Sequence, residues 1–299
     1  MRIFYTDQFV LPLPEGHRFP MVKYAMLRAR VEAANLSGGE PLRVPQAASD
    51  EEILRAHDTA YLQRVVAGTL AASEVRRIGF PWTIQMVERS RRSSGATIEA
   101  CRAALEQGVA VSLAGGTHHA FRDHGAGYCV FNDAAIAALV MQAEGRARRV
   151  LIVDCDVHQG DGTASILSED PSVFTFSIHA VRNFPFRKVE SDVDIGLQDA
   201  AGDELYLSSL ERGLCHALSA SQPDLVIFLA GADPFEGDRL GRLSLSKGGL
   251  GRRDQLVFSM CADLGVPVAA VMAGGYGRHI EDTVDIHFNT VRVAGTFTK

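Results

Sequence analysis

The amino-acid sequence predicts an α/β fold in which a parallel sheet is covered by helices on both faces. Short apolar runs alternate along the chain with segments whose apolar residues recur at helical spacing. Five polar clusters come directly after predicted strands, at the edge where open α/β sheets bind ligands. The 299 residues suit one large domain or two small ones, and no linker or repeat divides them, which favours a single domain over residues 1–299.

The predicted strands are short runs rich in branched apolar residues, and they cover residues 2–6, 109–113, 149–154, 173–178, 224–230 and 266–272. Apolar residues at helical spacing predict helices over residues 93–107 and 203–219. Further helices are predicted over residues 61–67, after a cap at Asp58 or Thr59, over residues 132–143, which are apolar on nearly all sides, and over residues 250–264. Ser49 and Glu52 form the pattern of a capping box, which predicts one further helix start. The prolines and glycines of residues 11–20 and the segment 76–82, RRIGFPW, predict loops.

The composition excludes several classes of protein. A net charge of −6 disfavours electrostatic attachment to nucleic acid or to an anionic membrane. No apolar stretch is long enough to span a bilayer, and the first residues lack the apolar core of a signal peptide. The five cysteines are scattered without a CxxC pair, as in proteins of a reducing compartment. We therefore expect a cytoplasmic protein without a membrane span or a nucleic-acid partner.

The stretch LIVDCDVHQGDG, residues 151–162, carries the clearest chemical signal. Because side chains alternate along a strand, Asp154, Asp156 and His158 should point one way, and Cys155 and Val157 the other. Carboxylates that converge where a buried strand ends repel each other and lose hydration. A bound cation resolves both problems, so the stretch predicts a metal site.

Asp156 and His158, together with Asp233 from another strand end, supply two oxygens and one nitrogen to this metal. Three protein ligands leave an open position, which is typical of catalytic zinc sites, and Fe²⁺ is an alternative ion for such a set. Taken alone, Asp233 is equally well explained as a helix N-cap or a turn acid.

His118 and His119 follow a double glycine at the end of another predicted strand. They form either a loop with two exposed rings or a proton-transfer pair, and the strand context favours the pair. Asp154 and Asp161 are spare acids that could bind the two rings and fix their tautomers. Tyr276, after Gly274 and Gly275, is either a packed ring at a turn or a hydroxyl that stabilises an oxyanion.

Five motifs together resemble the zinc-dependent histone deacetylase family, and the stretch 236–258 is most similar to its class IV branch and bacterial relatives. The motifs are GGTHHA (115–120), GYCVFND (127–133), DCDVHQGDG (154–162), GAD (231–233) and GGY (274–276). The resemblance implies the arginase/deacetylase fold, one domain with a central parallel sheet of about eight strands.

The resemblance also implies roles for individual residues. It makes Asp156, His158 and Asp233 the zinc ligands, His118 with Asp154 and His119 with Asp161 the acid–base pairs, and Tyr276 the electrophilic hydroxyl. It places a structural K⁺ ion at Asp154, Ser177 and the carbonyls of Asp156, His158 and Ile178. It assigns the substrate channel to Gly127, Tyr128 and Gly275, with Phe184 or Phe186 at the rim. The acidic rim residue of class I members has no counterpart in RRIGFPW.

The expected activity is metal-dependent hydrolysis of an amide, which removes an acetyl or longer fatty acyl group from the ε-amine of lysine in proteins. An acylpolyamine or another small amide is the alternative substrate. Two rival classes remain: an arginase-like hydrolase with two metal ions, which would need more acidic ligands, and a non-catalytic module that binds acyl-lysine. The sequence leaves the oligomeric state open.

Overall fold

The architecture is that of a seven-stranded, fully parallel sheet with helices on both faces, in a computed structural model that describes residues 1–298. The strands are β1 (Arg2–Phe4), β2 (Val109–Ser112), β3 (Val150–Asp154), β4 (Val173–Ala180), β5 (Val193–Leu197), β6 (Leu225–Ala230) and β7 (Val268–Met272). Their order across the sheet is β1-β2-β7-β6-β3-β4-β5. The α/β prediction is confirmed, with seven strands against the expected eight or so.

Ten helices connect the strands in the described part of the chain. They are α1 (Val22–Ala33), α2 (Asp50–Ile53), α3 (Thr59–Ala67), α4 (Ala72–Ile78), α5 (Ile84–Gln107), α6 (Asp133–Ala143), α7 (Asp161–Leu167), α8 (Asp203–Ser221), α9 (Lys247–Asp263) and α10 (Ile280–Gly295). None of the helices within residues 1–298 has both the length and the apolarity needed to cross a membrane.

The alternation of β3 places its side chains in two separate hydrophobic cores. Val150 and Ile152 belong to the core on one face, whereas Leu151, Val153 and Cys155 belong to the core on the other. All of these side chains are almost completely buried. Both faces of the sheet are therefore covered, which is why the strand sequences are continuously apolar rather than alternating.

The direction of winding reverses between β3 and β6. From β3 the chain continues to β4 on one side, and from β6 it continues to β7 on the other. The two strands are paired in register, with Asp154 opposite Leu229. Their carboxyl ends consequently flank the crevice at which open parallel sheets bind ligands.

Some elements differ from those predicted. Residues 76–82 are not entirely loop, because α4 continues to Ile78 and ends at Gly79 in the left-handed conformation. The capping box at Ser49 is present, with hydrogen bonds in both directions between Ser49 and Glu52. The pattern did not predict α1, α7, α10 or β5.

Candidate active site

The predicted polar residues converge in one cavity of about 700 Å³ at the carboxyl edge of the sheet. Its lining includes residues from four strand ends: His118 and His119, Asp156 and His158, Asp233, and Tyr276. Most of these side chains are buried, so they form the floor of the cavity rather than its rim.

Asp156, His158 and Asp233 each offer one ligand atom, and the three atoms lie within 4.8 Å of one another. The Nδ1 atom of His158 is 2.8 Å from Asp156 Oδ1 and 3.3 Å from Asp233 Oδ2. Asp233 Oδ2 is buried, and no donor within residues 1–298, the nearby Nδ1 atom of His158 included, meets hydrogen-bond geometry with it. A buried carboxylate oxygen without a partner is costly, and a cation would satisfy it.

The electrostatics of this group also fit a cation. Burial, together with the charge of Asp156, raises the pKa of Asp233 to about 7. Burial lowers the pKa of His158, but Asp156 and Asp233 outweigh that effect and raise it to about 10. The two buried carboxylates thus hold a protonated His158 between them. A divalent ion can replace the proton of His158, so the donor set suits a metal with mixed oxygen and nitrogen ligands.

The backbone around the group is shaped by Gly274. Its amide donates a hydrogen bond to Asp156 Oδ2 at 2.7 Å. A Cβ atom at this position would overlap with the carboxylate oxygens of Asp233 and Asp156. The amide of Val157 donates to the other oxygen of Asp233, Oδ1, at 3.0 Å. The two carboxylates are therefore oriented by backbone groups and face each other across the glycine.

Each histidine of the pair binds its own carboxylate. His118 Nδ1 lies 2.6 Å from Asp154 Oδ2, and His119 Nδ1 lies 2.6 Å from Asp161 Oδ1. The two rings pack with their centroids 4.1 Å apart. Since both carboxylates lie on the Nδ1 side, each ring can direct Nε2 toward the cavity.

The two histidines differ in charge. Burial lowers the pKa of His118, but the charges of Asp154 and Asp156 outweigh it and raise the pKa to about 9. Burial and the charge of His118 lower the pKa of His119 to about 4, against the opposing effect of Asp161. Neighbouring titratable groups whose pKa values are pushed apart are typical of acid–base chemistry.

The histidine loop is held by Asp133 at the start of α6. Its buried carboxylate accepts hydrogen bonds from the amides of Gly116 and Thr117, at 3.1 and 2.7 Å, and from the hydroxyls of Thr117 and Thr97, at 2.7 and 2.6 Å. Gly115 and Gly116 both have positive φ angles, which the tight turn requires. The sequence motifs gave no role to Asp133, although a charged residue that opens an apolar helix is a visible signal.

Tyr276 reaches the floor of the cavity from the end of β7. Its amide donates to Asp238 Oδ2 at 2.6 Å, and its ring lies among the rings of Phe19 and Tyr128. Burial and the charges of Asp233 and Asp156 raise the pKa of Tyr276 well above its ordinary value. The phenol therefore stays protonated and can donate a hydrogen bond.

Four of the five expected channel residues line the cavity, namely Gly127, Tyr128, Phe184 and Phe186. Phe184 packs edge-on against His119, with ring centroids 4.8 Å apart, whereas Phe186 is 89% exposed at the rim. Gly275 does not line the cavity. It lies behind the wall, where its carbonyl accepts a hydrogen bond from Lys23 Nζ at 3.3 Å, and Gly274 lines the cavity in its place.

At the expected K⁺ position, Ser177 pairs with Asp154 across β3 and β4. Its hydroxyl contacts His179 Nδ1 at 3.0 Å. The side chain of Ile178 packs in the hydrophobic core that also contains Leu151 and Val153. Only the backbone carbonyl of Ile178 is therefore available to an ion. The monovalent ion at this position stays a prediction.

A buried arginine for which the sequence pattern gave no role connects the loops that carry Asp156 and Asp233. Arg253, on α9, donates hydrogen bonds to the carbonyls of Cys155 and Gly231. These carbonyls precede Asp156 and Asp233 by one and two residues. Asp254 pairs with Arg253 at 2.7 Å in the same buried layer.

Comparisons with known proteins agree with this fold. The family profile described as "Histone deacetylase domain" matches residues 17–291. The chain is 45% identical over 285 residues to an uncharacterised protein of Picosynechococcus sp., covering 95% of each. It is 30% identical over 302 residues to histone deacetylase clr6 of Schizosaccharomyces pombe, covering 91% of this chain and 72% of that protein.

Arabidopsis thaliana histone deacetylase 2 is 31% identical over 256 residues, covering 81% of this chain and 66% of that protein. The crystal structure of the HDA15 HD domain superimposes with a TM-score of 0.82 at 22% identity, covering 98% of this chain and 90% of that one, and shows the likeness of fold.

The fold and the site define an α/β protein with a buried carboxylate–histidine group suited to a metal ion. With the profile match and these relatives, the chain belongs to the histone deacetylase family. Family membership supports a deacetylase activity, that is, hydrolysis of an amide.

Proposed function

We propose that the protein is a zinc-dependent deacylase that removes an acetyl or longer acyl group from the ε-amine of lysine, with residues 1–299 as one catalytic domain. The observation that carries this proposal is the convergence of a three-ligand group, two His–Asp pairs and a tyrosine hydroxyl on one cavity floor. A protein that only binds acyl-lysine would have no need for the two proton-transfer pairs.

Asp156, His158 and Asp233 would hold the zinc ion. When bound there, a zinc ion polarises a carbonyl group and brings the pKa of a water molecule down to about 7. The three ligands come from β3 and β6, so the ion would lie at the point where the winding of the sheet reverses.

The chain's own residues supply the proton transfers. One histidine of the pair takes the proton of the attacking water, and a histidine of the pair returns a proton to the departing amine. Asp154 and Asp161 hold the two rings through Nδ1, so the reacting nitrogen is Nε2 in each. Tyr276 donates its hydroxyl proton as a hydrogen bond to the oxyanion of the tetrahedral intermediate.

The shape of the cavity supports an acyl-amine substrate. Buried apolar and aromatic side chains line part of the cavity, among them Leu11, Tyr24, Phe80 and Met86, beside the buried cationic side chains of Lys23 and Arg89. The mouth is flanked by Phe184 and Phe186, and Tyr128 forms part of the wall. The apolar part of the lining suits the acyl group, and the aromatic wall suits the methylene chain of a lysine.

Turnover of fluorogenic acetyl-, trifluoroacetyl- and myristoyl-lysine substrates tests the proposal, with and without a hydroxamate chelator. We expect at least one substrate to be hydrolysed and the chelator to abolish the reaction. Binding of these substrates without turnover by the zinc-loaded protein would instead establish the non-catalytic alternative. Two metal ions per chain by elemental analysis would indicate the arginase-like alternative.

A further inference from the structure

The mouth of the cavity is strongly basic. Five exposed arginines line the same cavity as the buried floor, and we call them the arginine rim: Arg18, Arg76, Arg77, Arg182 and Arg242. Within residues 1–298, the only carboxylates that line the cavity are those of Asp156 and Asp233 on its floor. Because both belong to the proposed metal group, they are not available to balance the rim.

Part of the arginine rim has no charge partner. Arg242 contacts Asp199 at 3.0 Å, and Arg182 lies 3.9 Å from the same carboxylate, so two cations share one anion. Arg18, Arg76 and Arg77 form no ion pair with any carboxylate in residues 1–298, whereas nearby Arg64 is paired with Glu74. The rim therefore carries a surplus of positive charge.

The positive charge of the rim contrasts with the net charge of the whole chain, which is −6. Arg76 and Arg77 lie in the last turn of α4, where cations also stabilise the helix dipole. That explanation does not extend to Arg18, in the loop before α1, or to Arg182, in the loop after β4. The same holds for Arg242, in the loop between β6 and α9. Cations from four separate segments around one opening indicate that the charges serve a ligand rather than a helix.

We propose that the arginine rim selects substrates whose acylated amine is flanked by carboxylate or phosphate groups. The inference rests on the proposed deacylase function and names its substrate class. A concave site lined by charges of one sign concentrates ligands of the opposite sign and raises their association rate. An acyl-lysine within an acidic protein segment and a small anionic acyl-amine share this chemistry.

The same charges act against cationic substrates. A polyamine that bears one acyl group keeps its other amines protonated, so it would meet the arginine rim with like charge. A lysine- and arginine-rich tail such as that of a histone would do the same. We therefore expect kcat/KM to be highest for acidic substrates, lower for neutral ones and lowest for polycations.

Matched substrates test this ranking. Three peptides carry one acetyl-lysine flanked on each side by two aspartates, two asparagines or two lysines. A small-molecule pair is Nα-succinyl- and Nα-acetyl-Nε-acetyl-lysine methylamide, which differ by one carboxylate. We expect a kcat/KM about ten-fold higher for the acidic peptide than for the asparagine peptide at low salt. A preference limited to the peptides, or to the small pair, tells which source supplies the anion.

The rim variant R18Q/R76Q/R77Q should reduce the acidic-to-neutral ratio to less than about two-fold, since each exposed ion pair accounts for only a few-fold change. The matched control R148Q/R212Q/R292Q removes three exposed arginines that do not line the cavity and should keep the wild-type ratio. The preference of the wild type should weaken in 0.5 M salt, where screening shortens the Debye length to about 4 Å.

Dissociation constants of the labelled peptides, measured by fluorescence anisotropy with the Tyr276→Phe protein, give a readout that is independent of turnover. Turnover tests the proposed function, and the ratio of dissociation constants tests the arginine rim, so the two can fail separately. Equal affinities for the acidic and asparagine peptides, or an undiminished preference in the rim variant, would overturn the inference.

Discussion

At the scale of single residues, Tyr276 offers the cleanest test of the mechanism. Replacing it with phenylalanine removes one buried hydroxyl and leaves the ring contacts with Phe19 and Tyr128 in place. Loss of one oxyanion donor typically lowers kcat by about 10²–10³-fold. We therefore expect Tyr276→Phe to fold, to retain its zinc by elemental analysis, and to lose turnover on that scale.

The control for this prediction is Tyr5→Phe, which removes a phenol hydroxyl outside the cavity. It should leave both turnover and melting temperature unchanged. Full activity of Tyr276→Phe would remove the hydroxyl from the mechanism.

Substitution of Gly274 tests how the carboxylates of the proposed metal group are oriented, without removing a ligand. In Gly274→Ala the added methyl group overlaps with the carboxylates of Asp156 and Asp233, which must then move apart. Displacing groups that orient metal ligands typically lowers metal affinity by about 10–100-fold. We expect this loss in a zinc competition titration, and unchanged affinity would mean that the two carboxylates do not share one ion.

Gly248→Ala is the matched control, because its methyl group would meet only Ser246 Oγ, at an ordinary 3.5 Å. Gly248 lies in the first turn of α9 and its substitution should not change the zinc affinity.

At the scale of elements, His57 joins two segments that support the histidine pair. Its Nδ1 atom donates to the carbonyl of Phe121, and its Nε2 atom accepts from the amide of Asn132, which caps α6. Burial lowers the pKa of His57 to about 4, against smaller opposing effects from backbone hydrogen bonds. The ring is therefore neutral in the folded protein at pH 7.

The lowered pKa of His57 makes the stability of the folded protein sensitive to acid. Unfolded His57 takes up a proton near pH 6.5, whereas the folded residue does so only near pH 4. Between these values the unfolded state binds more protons, so the stability falls as the pH falls, by about 3 kcal/mol from this residue. Urea unfolding at several pH values should give a shallower loss for His57→Gln than for the wild type.

The exposed His216 of α8 provides the control, because His216→Gln should keep the wild-type pH dependence. Equal slopes for His57→Gln and the wild type would show that His57 is not the buried neutral base described above.

The elements also show which parts of the fold can be predicted from sequence patterns. The central strands were predicted to within two or three residues because buried parallel strands are continuously apolar. The edge strand β5 was missed because Asp194 and Gly196 interrupt its apolar residues. Helix α10 was missed because its buried face includes Thr283, His287 and Thr290, which weaken the helical pattern.

At the scale of the whole molecule, the sequence predicts which residues follow strand ends but not which strand ends are neighbours. His118 and Asp154 are 36 residues apart, and their contact depends on the strand order β2-β7-β6-β3. That order follows from packing on both sheet faces, which no local pattern records. The arginine rim likewise unites residues from separate segments, so it could be recognised only in the folded chain.

Metal removal should act on the stability of the whole fold, since the proposed ligands join the loops after β3 and β6 at the centre of the sheet. An ion that binds only the folded state stabilises it by about 2.7 kcal/mol at a free concentration of 100 times Kd. For a chain of this size, about 2 °C of melting temperature corresponds to each kcal/mol. We expect chelation to lower the melting temperature by about 5 °C, and zinc to restore it. Asp233→Ala and His158→Ala should bind little zinc, and their melting temperatures should not respond to the chelator. A wild-type protein whose melting temperature is equally insensitive would contradict the assignment of these three residues as the metal ligands.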